Sequence, residues 1–153
     1  MRIASVLENQ KIEKRISVTP EIAKKYISLG FKVSLSENYG VHLGIKNEEY
    51  LKLGVNISKD EKEIISNADV IVQLGLLSDD KKDLLKENQT FIGVLNPYDN
   101  KEKIDNLVKK KLNVFSLELL PRITRAQSMD ILSSQANLAG YKAVIESFAN
   151  FEK

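Results

Sequence analysis

The chain has 153 residues, which suits one domain of ordinary size with its own hydrophobic core. It contains no cysteine, which excludes thiol nucleophiles, disulfides and cysteine-based zinc sites. A net charge of +2 argues against nucleic acid as a partner, and no apolar run approaches the ~20 residues that direct membrane insertion needs.

Short apolar runs alternate with helical patterns along the chain, which is typical of α/β proteins with a parallel sheet. Thr19 is the expected N-cap of a helix that starts at Pro20 and ends at Gly30. The other predicted elements, in chain order, are strands over 2–7 and 31–36, helices over 47–53 and 59–67, a strand over 69–74, a helix over 79–86, a strand over 90–95, a helix over 101–111 and a strand over 113–119.

The predicted fold class is therefore α/β, a three-layer flavodoxin- or Rossmann-like subdomain with a parallel sheet, over residues 1–123. The strand over 69–74 is apolar enough that we expect it to be buried on both faces. From Thr124 nothing breaks a helix, so a helix of ~30 residues and ~45 Å is predicted over 124–153. It exceeds the width of such a domain and is expected to lead to a second domain that this chain lacks. Gly140 costs ~1 kcal/mol within that helix, so a close backbone or ligand is expected there.

The most informative stretch runs from Leu120 to Tyr141, where the last strand meets the long helix. Lysines outnumber arginines by nineteen to four, yet Arg122 and Arg125 both lie here. A guanidinium presents a fixed fork of donors that an ammonium lacks, so geometry is expected to matter at both positions. Capping of the helix by chance neighbours is the alternative explanation.

Arg122 and Asp130 are close enough in sequence to meet across the start of the helix. A primary carboxamide such as that of nicotinamide needs a donor for its oxygen and an acceptor for its nitrogen, and this pair offers both. Ser133, one turn beyond Asp130, could add a hydroxyl contact. The alternatives are a surface ion pair for Arg122 and Asp130, and simple helix packing for Ser133.

Gln127 has two possible roles. The run Thr124-Arg125-Ala126-Gln127 matches a capping box, in which the glutamine closes the start of the helix; an outward-facing glutamine would instead be free for function. No catalytic triad, carboxylate pair, metal-ligand spacing or glycine-rich phosphate loop accompanies it, and the single histidine, His42, is expected in a loop or half-buried. Hydride transfer between two nicotinamides would need only positioning.

Residues 121–135, with 137–141 after them, closely resemble the signature of the NAD(H)-binding domain I of proton-translocating NAD(P) transhydrogenase, alpha subunit. Residues 13–20 resemble the N-terminal motif that this family shares with alanine dehydrogenase. The resemblance implies that this chain is the first subdomain of domain I and lacks the Rossmann half with its glycine fingerprint. It also implies that Arg122, Asp130 and Ser133 hold the nicotinamide end of NAD(H). Gln127 would lie where the NADP(H)-binding domain meets domain I, and with Arg122 and Asp130 would make up the catalytic set.

The implied partners are the missing Rossmann half, the NADP(H)-binding domain and the membrane domain of the same complex, with domain I as a homodimer. The implied location is cytoplasmic, peripheral to the inner membrane through the complex, and this fragment alone is expected to be inactive. Whether Arg15, in the shared N-terminal motif, does more than a structural task is left open.

Two other hypotheses belong to different classes. Alanine dehydrogenases have a lysine after the third strand and a histidine after the fourth, whereas this chain has Gln73 and no histidine near Leu95. Those departures disfavour an alanine- or saccharopine-type amino-acid dehydrogenase. A non-catalytic docking module with the same fold is the third hypothesis, and a full-length gene without a downstream Gly-x-Gly-x-x-Gly would favour it.

Overall fold

A six-stranded parallel sheet organises the first unit of the chain in a computed structural model that describes residues 1–151. Its strand order is β3-β2-β1-β4-β5-β6, so the chain builds outward from β1 in one direction and then crosses over to build in the other. The strands are β1 (Arg2–Ser5), β2 (Lys32–Ser36), β3 (Asn56–Ser58), β4 (Val70–Val72), β5 (Thr90–Gly93) and β6 (Asn113–Ser116). The predicted α/β fold with a parallel sheet is confirmed.

Five helices connect these strands, and a sixth follows the last strand. Thr19 caps the first of them as predicted, because its Oγ1 accepts from the backbone N–H of Ile22 at 3.3 Å. Pro20 occupies the first turn, where its missing N–H costs nothing. The helices are α1 (Pro20–Ser28), α2 (Asn47–Lys52), α3 (Glu61–Ser66), α4 (Asp79–Lys82), α5 (Lys101–Lys109) and α6 (Ile131–Ala149).

Two apolar clusters cover opposite faces of the sheet. Face A, which bears Val33 and Leu35, packs against Ala23 of α1 and Tyr50 of α2. Face B, which bears Ile71 and Phe91, packs against residues from α3 and α5 such as Ile65 and Leu107. The structure therefore has the helix–sheet–helix layers that the alternating pattern predicted.

The prediction that the 69–74 strand is buried on both faces is wrong. The strand is shorter, and only its middle residue, Ile71, is buried, whereas Val70 and Val72 are half-buried. Ile71 joins the face B cluster, but neither Val70 nor Val72 belongs to the cluster on face A. Composition alone could not separate a strand with two covered faces from one with a single covered face.

The chain divides into two compact units, Met1–Ser116 and Leu117–Lys153. The predicted boundary after residue 123 falls inside the second unit. This unit has 3₁₀ turns over Leu117–Leu119 and Thr124–Met129, followed by α6. The expected continuous helix over 124–153 therefore needs correction: α6 starts at Ile131, because Asp130 has extended backbone with φ −73° and ψ 94°, and it ends at Ala149. Residues 152 and 153 lie outside the described residues.

Candidate functional site

Asp130 is the residue that starts α6. Its Oδ1 accepts from the backbone N–H groups of Leu132 and Ser133, both at 3.0 Å. Its Oδ2 accepts from the Ser133 hydroxyl at 2.7 Å. A short carboxylate at the N-cap satisfies N–H groups that have no partner within the helix, and it also complements the positive end of the helix dipole. The sequence-predicted residues Asp130 and Ser133 are therefore brought together.

These contacts favour the charged form of Asp130. The hydrogen bond from the Ser133 hydroxyl is the main cause that holds the pKa of Asp130 below its ordinary value, and the backbone N–H of Ser133 adds to it. The Arg122 guanidinium contributes a weaker electrostatic effect of the same sign. Asp130 is consequently an anion with a fixed orientation at neutral pH.

Arg122 and Asp130 do not form the direct pair that was expected of them. Over residues 1–151, Asp130 has hydrogen bonds only with Leu132 and Ser133, and Arg122 forms no ion pair with it. The Arg122 side chain is exposed, and its charge acts on Asp130 through space. The alternative of a plain surface ion pair is therefore not realised either, and the Arg122 donors face solvent.

The capping box proposed for Thr124 and Gln127 is not formed. Residues Thr124–Met129 form a 3₁₀ turn whose N-cap is Ile123, without a side-chain cap. Asp130 performs the capping instead, six residues later. Gln127 is exposed, so its amide remains available for an external contact, and the same holds for the Arg125 guanidinium.

Helix α6 exposes apolar side chains all along its length. Its 19 residues span about 28 Å, and none of them is buried. The exposed apolar residues are Leu132, Leu138, Tyr141, Val144, Ile145 and Phe148. The close neighbour expected at Gly140 is absent among residues 1–151, because a Cβ there would meet no atom within 4 Å. A helix that is apolar on every side is normally buried, so its partner is to be sought outside these residues.

The first unit contains a cleft that no sequence motif indicated. Its volume is about 730 Å³, and its walls come from the segments that follow β1, β4 and β5. In doubly wound sheets, ligands bind outside the carboxyl ends of the strands where the strand order reverses, and this cleft lies there, beside β1 and β4. Glu8 and Gln73 both line it, 65 positions apart in the sequence.

Glu8 joins the segments after β1 and β4. Its Oε1 accepts from the backbone N–H groups of Leu74 at 2.6 Å and Gly75 at 3.4 Å, and from Gln73 Nε2 at 3.2 Å. Burial in the cleft wall raises the pKa of Glu8 despite these bonds, and the nearby charge of Glu13 adds to the increase. Glu8 is therefore the carboxyl group of the cleft whose protonation is made easiest by its surroundings.

Gln73 is almost fully buried, with 2 % of its surface exposed. Its Oε1 accepts from the Ser5 hydroxyl at 2.6 Å and from Val6 N at 2.9 Å, while its Nε2 donates to Val6 O at 3.1 Å. The Ser5 hydroxyl also contacts the hydroxyl of Tyr39 at 2.7 Å and that of Ser17 at 2.9 Å. Gln73 thus belongs to a structural network and is not free to act on a ligand.

Two further searches bear on the function classes. No helix within residues 1–151 is long and apolar enough to cross a membrane. Over the same residues, no group of three or more His, Cys, Asp or Glu side chains is placed to hold a metal ion. His42 is exposed, and its Nε2 lies 2.7 Å from the backbone oxygen of Lys14, which gives this histidine a structural contact.

The fold and the cleft define the first unit as a doubly wound α/β domain of the ligand-binding kind. A family model described as "Alanine dehydrogenase/PNT, N-terminal domain" matches residues 6–139, and the chain belongs to this family. The family resemblance carried by residues 13–20 and 121–141 is thereby confirmed.

Three relatives show which branch of the family is nearer. A protein of Rickettsia prowazekii (strain Madrid E), named as the first portion of NAD(P) transhydrogenase subunit alpha, is 42% identical over the whole chain, which spans 41% of that protein. "The crystal structure of transhydrogenase from Sinorhizobium meliloti" superposes with a TM-score of 0.91 at 36% identity, over 100% of this chain and 46% of that one. "Alanine dehydrogenase 1" of Staphylococcus aureus is 26% identical over 95% of this chain and 38% of its own length. The transhydrogenase interpretation is therefore favoured over the alanine dehydrogenase one.

Proposed function

We propose that this chain is the N-terminal portion of the NAD(H)-binding domain of an NAD(P) transhydrogenase, and that residues 122–133 contact the nicotinamide end of NAD(H). The observation that carries the proposal is the likeness to a transhydrogenase structure over the whole chain, with a TM-score of 0.91. When bound, the dinucleotide supplies the hydride that passes to NADP on a partner domain. The chain's own residues bind and orient.

The donors and acceptors of the segment suit a carboxamide. The Arg122 guanidinium is exposed and has N–H donors for a carboxamide oxygen. Asp130 Oδ2 receives one hydrogen bond, from Ser133, and a carboxylate oxygen has room for a second, from a carboxamide nitrogen. Because Ser133 is committed to Asp130, we assign it the orientation of that carboxylate ahead of direct contact with the cofactor. Asp130 thus serves both as a helix cap and as an acceptor.

Gln127 is proposed to act where the two nicotinamide rings meet. It is exposed on a 3₁₀ turn, and no capping role occupies its amide. A residue that only aligns two reactants affects the rate through distance, and about 1 Å of misplacement can cost ~10²-fold. Gln127, Arg122 and Asp130 form the proposed catalytic set on this basis.

The remaining components of the machine are proposed from the relatives. A Rossmann half that completes the NAD(H) site, an NADP(H)-binding domain and a membrane domain would act with this chain, and domain I would be a homodimer. The domain would be cytoplasmic and peripheral to the inner membrane. Amino-acid oxidation is disfavoured by Gln73, since this buried residue holds the backbone of Val6 where alanine dehydrogenases have a lysine.

The test is a substitution at Gln127 in the full-length protein, reconstituted with its NADP(H)-binding domain. We expect Gln127→Asn to keep NADH affinity within a few-fold and to slow hydride transfer at least about tenfold, because the amide is retained but its reach is one methylene shorter. Stopped-flow absorbance measures transfer, and calorimetry measures affinity. Gln10→Asn, an exposed glutamine in the first unit, is the control. Unchanged transfer would refute a role for Gln127, and a full-length gene without a glycine fingerprint would favour the docking module.

A further inference from the structure

One row of apolar residues on face A has no partner in the first unit. Val72, Ile92 and Phe115 are direct neighbours in register across β4, β5 and β6. Successive residues of a strand point to opposite faces, so this row lies opposite the row of Ile71 and Phe91, which belongs to the core on face B. Neither core cluster includes Val72, Ile92 or Phe115.

The exposure of face A increases toward β6. Val33 and Leu35 of β2 have 2% and 0% of their surface exposed beneath α1 and α2. Val72 and Ile92 are half-buried, and Phe115 is 57% exposed. The apolar surface is thus continuous across the sheet, while its covering layer is complete only over one half.

The strand order explains why this half is open. The connections from β1 to β3 proceed in one direction along the sheet, and those from β4 to β6 proceed in the other. Right-handed crossovers therefore place α1 and α2 on face A but α4 and α5 on face B. No crossover helix of this unit can cover face A over β4, β5 and β6, so that surface needs a segment from elsewhere.

The dimensions of the row match one helix. Neighbouring strands lie about 4.8 Å apart, so three strands span roughly 10 Å, which is about the diameter of a helix with its side chains. The adjacent row on the same face contains Thr90 and Asn113, which are polar. The apolar surface is therefore narrow, and it suits the apolar side of an amphipathic helix.

We propose that face A over β4, β5 and β6 is the seat of an amphipathic helix from the same polypeptide, contributed by the portion of the full-length protein outside these 153 residues. The relatives show that such a portion exists in this family, since the chain spans 41% of the Rickettsia protein and 46% of the Sinorhizobium chain. A segment of the same polypeptide is always present at high local concentration, so a small apolar row suffices to hold it.

The experiment is photo-crosslinking in the full-length protein, with a photoreactive phenylalanine analogue in place of Phe115. The control carries the same analogue in place of Val108 on α5, which is 58% exposed and so matches Phe115. We expect the analogue at position 115 to crosslink to a helical peptide outside residues 1–153, and the analogue at position 108 to react with solvent. An equal mixture of isotopically heavy and light protein identifies the source, because contacts within one polypeptide give only heavy–heavy and light–light products.

A second measurement avoids any substitution. Hydroxyl-radical footprinting of the unmodified full-length protein should oxidise Phe115 at least about fivefold more slowly than in the unfolded protein, as expected of an apolar side chain removed from water. Heavy–light crosslinks would overturn the proposal in favour of a second copy of the chain. Crosslinks to residues within 1–153 would also overturn it, and so would oxidation of Phe115 at nearly the unfolded rate.

Discussion

The side-chain amide of Gln73 forms two hydrogen bonds with the backbone of Val6. Val6 N donates to Gln73 Oε1 at 2.9 Å, and Gln73 Nε2 donates to Val6 O at 3.1 Å. The two residues lie just beyond the ends of β1 and β4, so one side chain extends the pairing of these neighbouring strands. The cleft of the first unit is therefore closed at its base by a structural glutamine.

We expect Gln73→Lys to unfold more easily and to gain no activity toward alanine. A lysine has no acceptor, so the buried donors Ser5 Oγ and Val6 N lose their partner at a cost of about 1–3 kcal/mol each. Urea unfolding followed by circular dichroism should show a loss of at least about 2 kcal/mol in the free energy of unfolding. Gln10→Lys, at an exposed position, should leave it unchanged. An unaltered midpoint for Gln73→Lys would contradict the structural role.

Glu8 should make stability depend on pH in a direction opposite to that of most carboxyl groups. Burial raises the pKa of Glu8 in the fold, so the group stabilises the fold below its unfolded pKa, about 4.3, and this contribution is lost as the pH rises through the folded pKa. The free energy of unfolding of the wild type, minus that of Glu8→Gln, should therefore be larger at pH about 3.5 than at pH 7.

Denaturant titrations at both pH values measure that difference. Glu48→Gln, at an exposed position on α2, is the matched control. A difference for Glu8→Gln that grows with pH would mean that the three N–H donors outweigh burial, contrary to our expectation.

The elements of the fold that sequence predicted are those with local signals. The start of α1 follows from Thr19 and Pro20, and the core strands follow from their apolar runs. The strand β3 was missed because Asn56–Ser58 is short, lies at the edge of the sheet and has only Ile57 as an apolar residue. The cleft was missed because Glu8 and Gln73 meet only through tertiary structure.

The candidate site shows the same limit at a smaller scale. Two patterns competed within a few residues, a capping box at Thr124 and an aspartate three residues before Ser133. The aspartate caps the helix, because its short carboxylate reaches two backbone N–H groups and the Ser133 hydroxyl at once. The continuous apolar and small residues from Thr124 onward contain no breaker, so periodicity alone could not locate this interruption.

Ser133 should control the ionisation of Asp130. We expect Ser133→Ala to raise the pKa of Asp130 toward its ordinary value of about 3.9, because the hydroxyl is the main cause of its depression. A depressed pKa stabilises the fold above the unfolded pKa and loses this effect as the pH falls, so the variant should lose stability at pH 7 and little at low pH. NMR titration of the Asp130 carboxyl carbon measures the pKa. Ser134→Ala is the control, and an equal shift in both variants would contradict the assignment.

Asp130→Ala should loosen the start of α6, whereas Asp130→Asn should retain most of the cap. Removing an N-cap acceptor typically costs about 1 kcal/mol, and asparagine still accepts from the N–H groups of Leu132 and Ser133. Hydrogen exchange of the amides over 132–135 measures this local stability. Equal exchange in the alanine variant and the wild type would exclude Asp130 as the cap.

Arg122→Lys should impair hydride transfer in the full-length protein although the charge is retained. The exposed guanidinium is proposed to hold a carboxamide oxygen, and lysine cannot reproduce the geometry of its donor fork. Losing one hydrogen bond made by a charged donor costs about 1.5–3 kcal/mol, which corresponds to roughly tenfold to a hundredfold in rate if the contact is felt in the transition state. Stopped-flow measurement with the NADP(H)-binding domain gives this rate directly. Arg125→Lys, three residues away and also exposed, is the matched control and should slow transfer less. Wild-type transfer by Arg122→Lys would mean that Arg122 only modulates the charge of Asp130 at the surface, and the proposed nicotinamide contact would have to be assigned to other residues.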